Sequence, residues 1–157
     1  MGEAAEVGTD CAPPGAVRVL LVEDNPGDAR LVTLSLASLS SADRHFDIHT
    51  ARTLADALAC IDAAGFDAVI ADLHLPDSSG ADTVRELRAA APALPVVVLT
   101  GVDEEATAVR IMKEGAQDYL VKEPYNGRAV MRAVFHAIER QRVEQRMLQL
   151  AHYDSLT

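Results

Sequence analysis

Five side chains able to hold a cation or handle a phosphoryl group stand at the ends of short apolar runs in this sequence. VRVLLV (17–22) runs into Glu23 and Asp24, DAVIAD (67–72) ends in Asp72, PVVVLT (95–100) ends in Thr100, and QDYLV (117–121) is followed by Lys122. Carboxylates brought together repel one another unless a cation joins them. A donor set made only of oxygens selects a hard ion, and Mg2+ fits best because it is commonly held by a few carboxylates, waters and a phosphate oxygen. A carboxylate beside such an ion can attack phosphorus and form an aspartyl phosphate. Thr100 and Lys122 would then bind the phosphoryl oxygens and steady the charge that develops in transfer. Each residue taken singly has an ordinary account. Asp24 before Asn25-Pro26 reads as a turn or cap residue, Asp72 as a strand-ending turn carboxylate, Thr100 as a strand end and Lys122 as a solvated lysine. The combination favours function, because unrelated strand ends seldom place acids on two neighbouring central strands with a lone cation opposite. No Gly-rich phosphate loop accompanies them, which argues against a nucleotide site in this domain.

For these ends to meet, the apolar runs must be neighbouring strands. The runs at 17–22, 46–50, 67–72, 95–100 and 117–121 are continuous enough to suggest burial on both faces. Helical spacing fills the gaps: 27–39 with Leu31, Leu34 and Leu36; 53–64 with Leu54, Leu58 and Ile61; 81–91 with Val84 and Leu87; and 104–114 with Ala108, Ile111 and Met112. Asp24, Thr53, Ser79 and Asp103 stand near the helix starts as caps, and Gly65 and Gly115 as stops. Strands alternating with helices through short loops imply right-handed crossovers, hence a doubly wound α/β domain with a parallel sheet over 17–125. Ligands of such sheets bind outside the carboxyl ends of the strands, where the five residues stand.

Composition agrees with one domain and a remainder. The chain has 157 residues, 49% hydrophobic, with 14 basic against 24 acidic residues and a net charge of −10. This acidity disfavours non-specific attraction to nucleic acid or to an anionic membrane surface. Cys11 and Cys60 form no disulfide framework or metal-ligand spacing, no apolar run reaches the ~20 residues of a membrane span, and residues 1–16 read as a flexible tail without a signal peptide. The expected location is the cytoplasm.

The segments VEDN (22–25), VIADLHLPDSSG (69–80), VVVLTG (96–101) and GAQDYLVK (115–122) resemble the receiver domain of bacterial response regulators. The resemblance implies a flavodoxin-like sheet of order 2-1-3-4-5, with Asp72 accepting a phosphoryl group from a sensor histidine kinase or a phosphotransfer protein. It also implies Mg2+ held by Asp24, Asp72 and the backbone carbonyl of His74, with Glu23 acting mostly through a bound water. Thr100 and Lys122 would contact the phosphoryl oxygens, and Tyr119 stands at the family's switch aromatic. His74 and Val102 fall at the two variable positions that tune phosphate lifetime in the family. One departure is Glu123 between Lys122 and Pro124, where the family commonly has proline directly after the lysine.

Residues 126–157 carry five Arg against three acids, unlike the acidic stretch before them. Val130, Val134, Ala137 and Ile138 can cover the sheet. Val143, Met147 and Leu150 then follow at spacings of four and three, which suits a helix over 126–152 pairing with a copy of itself. The terminal LAHYDSLT (150–157) resembles the entry to a GGDEF-type diguanylate cyclase domain, with Asp154, Ser155, Leu156 and Thr157 as its Asp-x-Leu-Thr element. The expectation is therefore a receiver that, on phosphorylation, forms a homodimer through its C-terminal half and the helix 126–152 to bring together two copies of a cyclic di-GMP synthase, with no nucleic acid or membrane as partner. The receiver itself is not expected to be an enzyme beyond assisting its own phosphorylation and dephosphorylation. Two rivals are a phosphorylation-independent dimerisation scaffold and a phosphotransferase or phosphatase with an aspartyl intermediate. The second of these would want an acid where His74 stands.

Overall fold

The computed structural model describes residues 16–38, 45–121 and 127–156, with the side chains of Ser79, Val102, Glu105 and 151–156 excepted. Five strands, β1 (Ala16–Val22), β2 (His45–Ala51), β3 (Ala68–Asp72), β4 (Val96–Thr100) and β5 (Asp118–Val121), form one parallel sheet of order 2-1-3-4-5. The helices are α1 (Pro26–Ala37), α2 (Leu54–Ala63), α3 (Gly80–Ala90), α4 (Glu105–Met112) and α5 (Gly127–Leu156). This is the doubly wound α/β, flavodoxin-like fold that the sequence implies.

Alternation along the strands builds two cores. Leu20, Val22, Val69, Ala71, Val96 and Val98 face α2, α3 and α4, while Val19, Leu21, Ala68, Ile70, Val97 and Leu99 face α1 and α5. Fully burying a side chain such as Leu20, Ile70 or Leu99 contributes about 1.5–3 kcal/mol, so the three central strands hold much of the fold. The outer strands differ from the expectation of two buried faces: β2 alternates between exposed and buried positions, and β5 is half-buried throughout.

Several local expectations need correction. In α1 the core face is Ala29, Val32 and Leu36, while Leu31 and Leu34 are exposed, because the sheet lies under the stripe at positions 29, 32 and 36. The α1 cap is Asn25, not Asp24: Asn25 Oδ1 accepts the N–H groups of Gly27 at 2.8 Å and Asp28 at 3.1 Å, with Pro26 opening the helix. Thr53 does cap α2, its Oγ1 accepting the Asp56 N–H at 3.0 Å. Asp103 caps nothing, since it lies inside a short 3-10 turn, Val102–Glu104, ahead of α4. Gly115 takes the left-handed backbone of a helix stop at φ 117°, whereas Gly65 has no positive φ. Helix α5 runs unbroken to Leu156, past the expected end at 152, because no Gly or Pro interrupts residues 128–156. Cys60 is a free, half-buried thiol; Cys11 and the other residues of 1–15 lie outside the described residues. Among the described residues no helix is long and apolar enough to cross a membrane.

Candidate functional site

Sheet order places the strand ends. The chain winds outward from β1 to β2, then crosses back to β3 on the other side of β1, so the crevice between β1 and β3 opens at their carboxyl ends. Glu23 and Asp24 follow β1 there, and Asp72 closes β3. One carboxylate oxygen from each of Glu23, Asp24 and Asp72 lies within 4.8 Å of the others, and Glu23 and Asp72 are buried while Asp24 is half-buried. Three acids this close carry a mutual repulsion that a divalent cation relieves. The all-oxygen set fits a hard ion such as Mg2+ better than a soft one.

Backbone contacts hold the cluster in place. The Glu23 N–H donates to the Ala51 carbonyl of β2 at 2.9 Å, and the Asn25 N–H donates to Glu23 Oε2 at 3.3 Å. Asp72 lies opposite Leu99 in the β3–β4 register, and the His74 N–H donates to Asp72 Oδ1 at 3.3 Å. Beyond Asp72 the chain makes a small antiparallel ladder of His74–Leu75 with Ser78–Ser79. Its anchors are the Gly80 N–H on the Leu73 carbonyl at 2.8 Å and the Ser78 and Thr83 hydroxyls 2.8 Å apart.

Thr100, fully buried at the end of β4, donates from Oγ1 to the Leu120 carbonyl of β5 at 3.3 Å. Tyr119 pairs with Val98 in register and packs half-buried against the core beneath α2–α4. The structure thus brings Glu23, Asp24, Asp72, His74 and Thr100 to one end of the sheet. Lys122 follows Val121 in sequence and lies outside the described residues, as does Pro124.

Two residues of this region went unread in the sequence. Glu104 spans the mouth of the site: Oε1 accepts the Gly101 N–H at 2.9 Å and Oε2 hydrogen-bonds His74 Nε2. The hydrogen bond with His74, then the Gly101 N–H, hold the Glu104 carboxyl below the usual glutamate range, while the nearby Asp72 charge pushes it the other way. Its reach back to an N–H three residues earlier is that of a capping-box glutamate, but Gly101 lacks the hydroxyl that makes the pattern recognisable in the sequence. Asp77 accepts backbone N–H groups of α2, a contact between residues 23 apart that no local pattern announces.

Comparisons with known proteins agree with this geometry. The sequence model of the family described as the response regulator receiver domain matches residues 19–134. The cell cycle transcriptional regulator CtrA of Caulobacter vibrioides is 32% identical over 124 residues, 79% of this chain and 51% of that protein. The C4-dicarboxylate transport transcriptional regulatory protein DctD of Pseudomonas aeruginosa is 36% identical over 138 residues, 85% of this chain and 28% of that protein. A crystal structure of NtrX from Brucella abortus superposes with a TM-score of 0.73 at 26% identity, covering 86% of this chain and 29% of NtrX. The chain thus spans about half the length of CtrA and under a third of the other two. With a sheet of order 2-1-3-4-5, an acidic cluster at its switch point and a family match over most of its length, the chain belongs to the response regulator receiver domain family.

Proposed function

We propose that the chain is the phosphoacceptor receiver of a two-component response regulator, with Asp72 as the acceptor. The observation that carries this reading is the meeting of Glu23, Asp24 and Asp72 within 4.8 Å at the carboxyl ends of two adjacent strands, with Thr100 on the next strand. In the proposed reaction an Asp72 carboxylate oxygen attacks the phosphorus of a phosphohistidine on a sensor kinase or phosphotransfer protein. The P–N bond breaks, its electron pair returns to the imidazole nitrogen, and that nitrogen takes a proton. Asp24, Asp72 and the His74 backbone carbonyl would hold Mg2+, with Glu23 acting through a water. The ion would supply charge neutralisation between the carboxylate and the entering phosphoryl oxygens. Thr100 would turn its hydroxyl from the Leu120 carbonyl to a phosphoryl oxygen, Lys122 would meet another, and Tyr119 would follow Thr100 inward. The proposed phosphodonor puts this chemistry in the cytoplasm.

For the output we propose dimerisation along α5. Val143, Met147 and Leu150 are exposed on it at spacings of four and three, flanked by arginines and glutamates, and a second copy would cover them. Asp154-Ser155-Leu156-Thr157 supports a diguanylate cyclase as the controlled domain. The names of CtrA and DctD favour a second reading, transcriptional control, in which a longer protein would have nucleic acid as a partner. Receiver membership does not choose between them, since one fold serves many outputs. The reading frame beyond Thr157 decides: a Gly-Gly-acidic-Glu-Phe-like motif supports the cyclase, and a DNA-binding domain replaces it. Molar mass in solution, with and without beryllofluoride and Mg2+, tests the switch. A shift toward dimer in the wild type but not in Asp72→Ala is expected; a dimer indifferent to both favours the constitutive scaffold.

A further inference from the structure

We infer that Glu104 is a resident anion at the mouth of the site, holding the Gly101 amide and the His74 ring until a phosphoryl group on Asp72 displaces it. The inference rests on the receiver reading of Asp72. Gly101 is the first residue beyond Thr100, and Asp72 pairs in register with Leu99 on the neighbouring β4, so the Gly101 amide stands at the same carboxyl edge of the sheet as the acceptor. Glu104 Oε1 fills that donor at 2.9 Å, while Oε2 engages the imidazole two residues after Asp72. The loops leaving the two central strands are thereby tied by one carboxylate, close enough to Asp72 for the two charges to oppose each other.

A phosphoryl group brings about 1.5 to 2 negative charges and three acceptor oxygens. It competes for the same N–H donor and repels the same carboxylate. Departure of Glu104 releases the Val102–Glu104 turn and the start of α4, linking the chemistry at Asp72 to a helix on the sheet face where Tyr119 packs. Gly101 fits this arrangement, since a Cβ there would lie 2.9 Å from Glu104 Oε1 and would push the end of that side chain aside. His74 thus gains a role through its side chain as well as its backbone, as the second anchor of Glu104.

The test uses the full chain at saturating Mg2+, with beryllofluoride affinity by calorimetry and acetyl phosphate labelling by intact mass. Glu104→Ala is expected to bind beryllofluoride roughly 2- to 5-fold more tightly and to label faster by a similar factor, the scale of one partly exposed charge interaction. Glu104→Gln keeps the acceptor and removes the charge, and should move the same way by less. Gly101→Ala should give the gain in the wild type and none on top of Glu104→Ala. A glutamate serving only as a helix cap lowers the melting temperature in Glu104→Ala and leaves beryllofluoride affinity unchanged, and that result overturns the inference. So do independent gains from Gly101→Ala and Glu104→Ala. Equal labelling of wild type and Asp72→Ala instead overturns the receiver reading on which it rests.

Discussion

The Asp77 carboxylate caps the helix that begins at Leu54: Oδ1 accepts the Leu54 N–H at 2.9 Å, and Oδ2 accepts the neighbouring Ala55 N–H at 3.0 Å. The segment that follows Asp72 is thereby fastened to α2, adding to its ties to β4 and α3. These N–H groups, Leu54 first and Ala55 second, hold the Asp77 carboxyl below the ordinary aspartate range. A depressed value in the folded state means a stability contribution present above the unfolded value, about 3.9, and lost as pH falls through the folded one. Thermal melts of the wild type and Asp77→Asn should therefore differ most at neutral pH, with the wild type higher, and converge as pH drops below about 4. A constant difference across that range would contradict the assignment.

Crowded carboxylates make a second prediction. Ion binding to the folded state alone stabilises it by RT ln(1 + [L]/Kd), about 2.7 kcal/mol at one hundred times the dissociation constant. Calorimetric melts of the wild type should rise with Mg2+ toward that increment. Asp24→Asn should lose most of the rise, yet melt above the wild type in chelator, because one repelling charge is gone. A wild type indifferent to Mg2+ would remove the metal from the account.

Helix α5 is fixed to the far end of the sheet by a buried amide pair. Gln117 Nε2 donates to Gln141 Oε1 at 3.2 Å, Gln141 Nε2 reaches the Pro92 carbonyl at 3.4 Å, and Arg140 Nη1 donates to the Gln117 carbonyl at 2.8 Å. Gln141→Ala leaves buried polar partners unsatisfied and should cost about 1–3 kcal/mol. The urea midpoint should fall with an unchanged slope. A loss within the ~0.5 kcal/mol typical of surface changes would mean that water replaces the side chain without penalty.

How much of this was legible beforehand depended on whether the signal was local. The strand ends were, because Val-, Leu- and Ile-rich runs stop abruptly at Glu23, Asp72 and Thr100, and each observed strand lies within a residue of its expected span. The face of α1 was not: Leu31 and Leu34 outweigh Val32 in bulk, but the sheet lies under the stripe of Ala29, Val32 and Leu36. Asp24 looked like a cap because it precedes Pro26, yet its carboxylate belongs to the cluster and Asn25 takes the cap. Glu104 was not readable either, because Gly101 carries no side-chain oxygen to complete a capping box with it. Asp77 was not, since its partners are fixed only once α2 and the segment after β3 are packed together.

The central claim is that Asp72 is the phosphoacceptor, and intact mass spectrometry tests it most directly. Wild type and Asp72→Ala would each be incubated with acetyl phosphate and Mg2+, then measured beside samples treated with chelator. The account predicts the mass of a single phosphoryl group on the Mg2+-treated wild type, and none on Asp72→Ala or in chelator. Labelling of Asp72→Ala equal to that of the wild type would contradict it.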